Sequence, residues 1–146
     1  ISFGRFEVEN ARKQKRRTNT FDFLGFTHFC DKTRNGYFKV GRKTSRKKFV
    51  IKCKEMTKWL KSIRNKAAPK EWWNILAAKL RGHYQYYGVS GNYRGIKAFY
   101  IHTTRTLLKW LNRRSQRKSM SWNGFYKYLE HYPVPEPKIC HNFYTL

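Results

Sequence analysis

"PKEWWNILAAKLRGHYQYYG", Pro69 to Gly88, reads as one helix with both of its ends marked. Pro69 occupies the position where a missing N–H costs nothing, Glu71 sets a carboxylate in the first turn against the positive helix end, and Gly88 stops the run. Between them Trp73, Leu76, Leu80, Tyr84 and Tyr87 recur every three or four residues, the stripe of a helix with one face in a core. On this reading Tyr84 and Tyr87 face inward, while His83 and Tyr86 point elsewhere.

The same period continues on both sides. Upstream, Phe49, Cys53, Met56, Leu60 and Ile63 predict a helix from about Ser45 to about Asn65, with Thr44 or Ser45 as its N-cap and Lys47, Lys54, Lys58 and Lys61 on the opposite side. Downstream, "VSGN" makes a turn with Ser90 or Asn92 as cap. Ile96, Phe99, Tyr100, Thr103, Leu107 and Trp110 or Leu111 then carry a third helix to about Arg113. Connections this short favour antiparallel neighbours and hence a compact bundle. Ser119 or Ser121 caps a last short helix with Trp122, Phe125, Tyr126 and Leu129 apolar, and "YPVPEP" fixes an extended exit. The tail after it is expected to lie along the surface or to be loose.

Ahead of the helices the period is two. "ISFGRFEVEN" and "NTFDFLGFTHFC" each alternate apolar and polar residues around the basic connector "ARKQKRRTN", which predicts two strands joined by a solvated loop. Asn35-Gly36 in "DKTRNG" marks a tight turn, with Tyr37, Phe38 and Val40 on the return strand. The expected fold is therefore mainly α: a small antiparallel sheet over residues 1–43, a helical domain over 44–132 built from a three-helix bundle and a short helix, and a tail over 133–146.

The chain has 146 residues, suited to one domain, with 33 Lys plus Arg against 8 Asp plus Glu and a formal charge of +25. Self-repulsion of that size is comparable to the stability of a small domain, so a polyanion is the expected partner. Its 18% aromatic content supplies the apolar area that folding needs despite the charge. No apolar run approaches the roughly 20 residues of a spanning helix, and no signal peptide is visible, so no membrane partner is expected. Cys30, Cys53 and Cys140, odd in number and widely spaced, suggest neither a disulfide framework nor a zinc knuckle. They fit a reducing cytoplasm, whether bacterial cytoplasm and nucleoid or an organelle.

For catalysis the residues are poor. No two acids sit together as the metal pair of a nuclease or polymerase would require, and the five histidines are scattered without HExxH or Cys-His zinc spacing. The cations are more telling. Lys97, Arg105, Lys109 and Arg113 mark one side of the third helix, continued by Arg114, Arg117 and Lys118, with no acid between Glu71 and Glu130. Like charges four apart cost a helix roughly 0.2 to 0.5 kcal/mol a pair, a penalty that phosphate relieves. Tyr and His interleaved with Arg suit stacking on unpaired bases, which favours RNA, with duplex DNA left open.

"FGRFEVENARKQKRR", "FDFLGFTH", "RKTSRKKF", "LRGHYQYYGVSGN", "FYIHTTRTLLKWLNRRSQRKSMSW" and "YPVPEPKICH" follow one another in an order that resembles the C-terminal part of group II intron-encoded reverse transcriptases. There the end of the palm runs into the thumb, or maturase-specific, domain, and the likeness spans nearly the whole chain. It implies RNA-directed DNA polymerase activity in a parent protein that also binds intron RNA and assists splicing. Phe23, Leu24 and Gly25 match the family's primer-grip hairpin, and the helices after Ser45 match its thumb. The implied RNA contacts are Arg81, His83, Tyr86, Asn92, Arg113, Arg114 and Arg117, joined by the cations Lys97, Arg105, Lys109 and Lys118.

The family's catalytic Tyr-x-Asp-Asp motif is absent and belongs upstream of Ile1, as do the fingers and most of the palm. This chain is therefore expected not to polymerise DNA and to hold no cofactor, Mg2+ belonging to the full-length polymerase. "CHNF" at Cys140 lacks the partners of the family's optional endonuclease. Expected partners are group II intron RNA, a template–primer duplex and the upstream fingers and palm of the same protein, the chain being either a piece of it or a surviving binding module. A standalone RNA chaperone or ribosome-associated module, or a duplex DNA-binding protein, are the alternatives.

Overall fold

The computed structural model describes residues 1–114 and 119–144. Helix α1 (Glu7–Lys13) leads into an antiparallel sheet of β1 (Thr20–Phe23), β2 (Phe26–Lys32) and β3 (Phe38–Thr44) in that order, followed by α2 (Arg46–Ile63), α3 (Pro69–Tyr87), α4 (Tyr93–Arg114) and α5 (Trp122–His131). The expected mainly helical chain with a small antiparallel sheet ahead of a three-helix bundle is what folds.

The helices follow their signals closely. Ser45 caps α2 by accepting the Lys48 N–H, Pro69 opens α3, and Ser121 caps α5 by accepting the Gly124 N–H. Leu60, Leu76, Leu80, Tyr84, Ile96, Leu107 and Phe125 form the centre of the core, with at most 1% of any of them exposed. Side chains so enclosed are each worth roughly 1.5–3 kcal/mol of burial, which is why the stripes meet.

The first strand is overturned. Among the described residues Ile1–Phe6 joins no strand and Glu7–Lys13 is helical, because Glu7 is covered rather than solvated: its carboxylate accepts from Arg16 Nη1 at 2.6 Å, Ser2 Oγ at 2.9 Å and the Asn19 N–H at 3.0 Å. Those donors hold the Glu7 carboxyl down at about 2, Arg16 contributing most.

The predicted strand through "NTFDFLGFTHFC" is also corrected, since it breaks into β1 and β2 at Leu24-Gly25, with Phe23 opposite Phe26. Leu24 (φ +50°) and Gly25 (φ +82°) both lie in the left-handed region, as a two-residue hairpin of the primed type demands. Asn35-Gly36 instead sits in a wider loop, where Thr33 and Tyr37 close the ends.

The tail is not loose as far as residue 144. Pro133 O accepts from Trp73 Nε1 at 3.0 Å, Pro135 O from Tyr84 Oη at 2.8 Å, and Gly88 O from the Cys140 and His141 amides. Tyr144 Oη then donates to Val40 O at 2.8 Å, tying the tail back to the sheet.

Candidate nucleic-acid interface

The tip of the β1–β2 hairpin is locked to the bundle. A leucine at positive φ is strained by roughly 1–3 kcal/mol, so surrounding bonds must hold it. Tyr86 Oη donates to Leu24 O at 2.8 Å, and the Ser45 N–H donates to Gly25 O at 2.8 Å. Behind the tip, Phe26 stacks on Tyr86 and packs at a tilt on Tyr87. A Cβ at residue 25 would come within 2.9 Å of Tyr87 Oη, so glycine there serves both the turn and the close approach. Phe23 and Leu24 themselves remain exposed, at 60% and 67%, which leaves the tip free to touch a partner.

Two of the expected RNA contacts are buried rather than turned to open solvent. Asn92 is 1% exposed and its amide is fully engaged: Oδ1 accepts from the Thr44 N–H, and Nδ2 donates to Thr44 Oγ1 and Tyr87 O. It joins the sheet to the bundle away from solvent and stands at the cap position before α4, where its carbonyl accepts from the Gly95 and Ile96 N–H groups; the Ser90 hydroxyl bonds His141 and Asn142 instead. His83 is 7% exposed with its ring stacked on Phe99 at 3.7 Å, not turned outward. Burial, with the Lys52 ammonium nearby, holds its imidazole down at about 4, hence neutral.

The remaining candidates fall into separate places. Arg81 is exposed on α3, but at 100° per residue it points well away from His83 and Tyr86. Lys97, Arg105, Lys109, Arg113 and Arg114 are all exposed on α4, yet Lys97 stands about 24 Å along the axis from Arg113 at 1.5 Å per residue. Arg117 and Lys118 lie outside the described residues.

The last turns of α4 gather one positive cluster. Lys109 and Arg113 lie over the Trp110 ring at 5.0 and 5.2 Å, and Arg64 from the end of α2 lies over it at 4.2 Å. Arg114 Nη1 donates to Ala67 O. Trp110 Nε1 and Arg64 Nε are both buried with no hydrogen-bond partner among the described residues. Both can only donate, and the narrow space beside them leaves no room for an external group, so the anion-facing part of this cluster is the exposed Lys109, Arg113 and Arg114. Arg64 was not legible as a site residue because it meets α4 only in the folded chain.

A second positive concavity, of about 740 Å³, opens between α2 and α3 beside the hairpin tip. Lys48, Lys52 and Lys79 line it together with Glu55, His83 and Tyr86. Those lysines sit on the polar sides of their helices, where sequence alone gives no reason to join them. Among the described residues only three ion pairs form: Arg16–Glu7, Lys39–Asp31 and Lys52–Glu55. The great majority of the cations are therefore free for an external anion.

Among the described residues no cluster of His, Cys, Asp or Glu is placed to hold a metal ion, and no helix is long and apolar enough to cross a membrane. All three cysteines are free, and burial pushes the Cys53 thiol up to about 11, which leaves it unreactive. Comparison with protein-family models, with curated proteins and with solved structures found no match.

Proposed function

We propose that the chain is the RNA-binding thumb and maturase region of a group II intron reverse transcriptase, binding intron RNA and a template–primer duplex beside the fingers and palm of the same protein. One observation carries the reading: "FLGF" and "RGHYQYYG", 58 residues apart at their first letters and both central to the resemblance, meet in space through the Tyr86–Leu24 hydrogen bond. A hairpin that positions a primer end needs rigid support from the domain that tracks the duplex, and this bond supplies it. The acid-free cationic surface of α4 supports the same reading, since Lys and Arg neutralise phosphates and release counterions. The chemistry of polymerisation and its Mg2+ belong to the parent protein, and the work is done in the cytoplasm.

Competition binding tests the reading. The full chain should retain a preference for a group II intron RNA over an equally long unrelated structured RNA as salt rises to a moderate level. Equal affinity and simultaneous release of both would reduce the protein to a polycation.

A further inference from the structure

The cleft between α2 and α3 has features that phosphate binding alone does not require. Gly82 lies in the middle of α3, where glycine costs roughly 1 kcal/mol against alanine, yet a Cβ built on it meets nothing within 4 Å. No neighbour in the protein forbids a side chain at this position, which lines the cleft. Next to it, His83 lines the same cleft, is more than nine-tenths buried, and leaves Nε2 without a hydrogen-bond partner among the described residues. A buried polar atom left in this way calls for a partner from outside. Tyr86, half exposed and fixed through its hydroxyl to the hairpin tip, offers a rigid aromatic ring at the edge.

From these features we infer that the cleft receives one unpaired nucleotide, its base lying over the bare Gly82 backbone with an edge hydrogen bond to His83 Nε2, and its phosphate among Lys48, Lys52 and Lys79. Three ammonium groups face the single carboxylate of Glu55, which pairs with Lys52 at 3.2 Å, so the site stays net positive. A volume of about 740 Å³ lies within the usual range of small-molecule sites and has room for a purine nucleotide. A neutral imidazole can donate or accept, so it suits an uncharged base edge better than a second phosphate. The inference rests on the RNA-binding reading in one respect: the nucleotide is supplied by an RNA strand, as a base turned out of the stack.

The test is a titration of the full chain with adenosine 5′-monophosphate, followed by NMR at the His83 ring protons, with ribose 5-phosphate and hexaglutamate as controls. The nucleotide should shift the His83 signals saturably at a concentration at least tenfold below either control. Gly82→Leu, which fills the cleft with a good helix former and should not lower the melting temperature, should raise the nucleotide midpoint at least tenfold. Lys48→Gln should raise it severalfold without touching the ring contacts. Equal responses to ribose 5-phosphate or hexaglutamate, or a nucleotide response indifferent to Gly82→Leu, would overturn the base slot. If adenosine 5′-monophosphate behaves as expected while no RNA binds, the cleft stands and the proposed function falls. If intron RNA binds selectively while the nucleotide leaves His83 unmoved, the cleft falls and the proposed function stands.

Discussion

In the centre of the bundle Leu76, Leu80 and Ile96 are wholly buried among apolar neighbours, whereas the sheet is joined to the bundle by polar bonds, Asn92 to Thr44, Tyr86 to Leu24 and Ser45 to Gly25, beside the packing of Phe26 on Tyr86 and Tyr87. Apolar packing is non-directional and sets stability. Hydrogen bonds contribute less each but fix angles and distances. The helical half therefore keeps the chain folded, and the polar joint decides where the hairpin tip stands. If the tip positions a nucleic acid end, that division is what its task requires.

Core truncation should break the comparison most severely. Leu80→Ala removes a side chain with no exposed surface and should cost about 2–5 kcal/mol, unfolding sheet and bundle together in a denaturant titration. Separate transitions for the two regions would mean that the joint is not coupled to the core. Next comes Asn92→Ala, which strands the half-buried Thr44 N–H, leaves the Tyr87 carbonyl with the Val89 N–H alone, and should cost about 1–3 kcal/mol. Amide exchange in β3 should accelerate more than exchange in the centre of α4.

Tyr86→Phe keeps the ring stack on Phe26 and deletes only the bond to Leu24 O, for an expected loss of about 0.5–1.5 kcal/mol. Its signature is local: the hairpin tip should become mobile in NMR relaxation while the melting temperature falls by only a few degrees. A separate, pH-dependent effect is expected on acidification. Because the Glu7 carboxyl is depressed from 4.5 to about 2, its contribution is fully present above about pH 4.5 and is lost as pH falls toward 2. Chemical shifts of Ser2, Arg16 and Asn19 should follow that window, and Glu7→Gln should remove the dependence.

What sequence could read follows the range of the forces involved. The helices were legible because caps, prolines and the 3.6-residue period act within a few residues; Ser45, Pro69 and Ser121 mark the starts of α2, α3 and α5. The Leu24-Gly25 turn was not legible in the residue pattern, since leucine disfavours positive φ and the bond that holds it comes from Tyr86, 62 residues away. Helix α1 was missed because a glutamate is ordinarily solvated, and only Arg16, Ser2 and Asn19 together make its burial acceptable. Asn92 looked like a surface contact for a similar reason: its partner Thr44 is 48 residues distant. The exposed cations of α4 were legible as charge, but Arg64, Lys48, Lys52 and Lys79 became site residues only when α2 and α3 placed them.

Binding of the full chain to a group II intron RNA, against an unrelated structured RNA of equal length across a salt series, tests the central claim most directly. A preference for the intron that persists while both affinities fall steeply with salt is the predicted result. Two superimposable curves, or affinities flat between low and moderate salt, would contradict it.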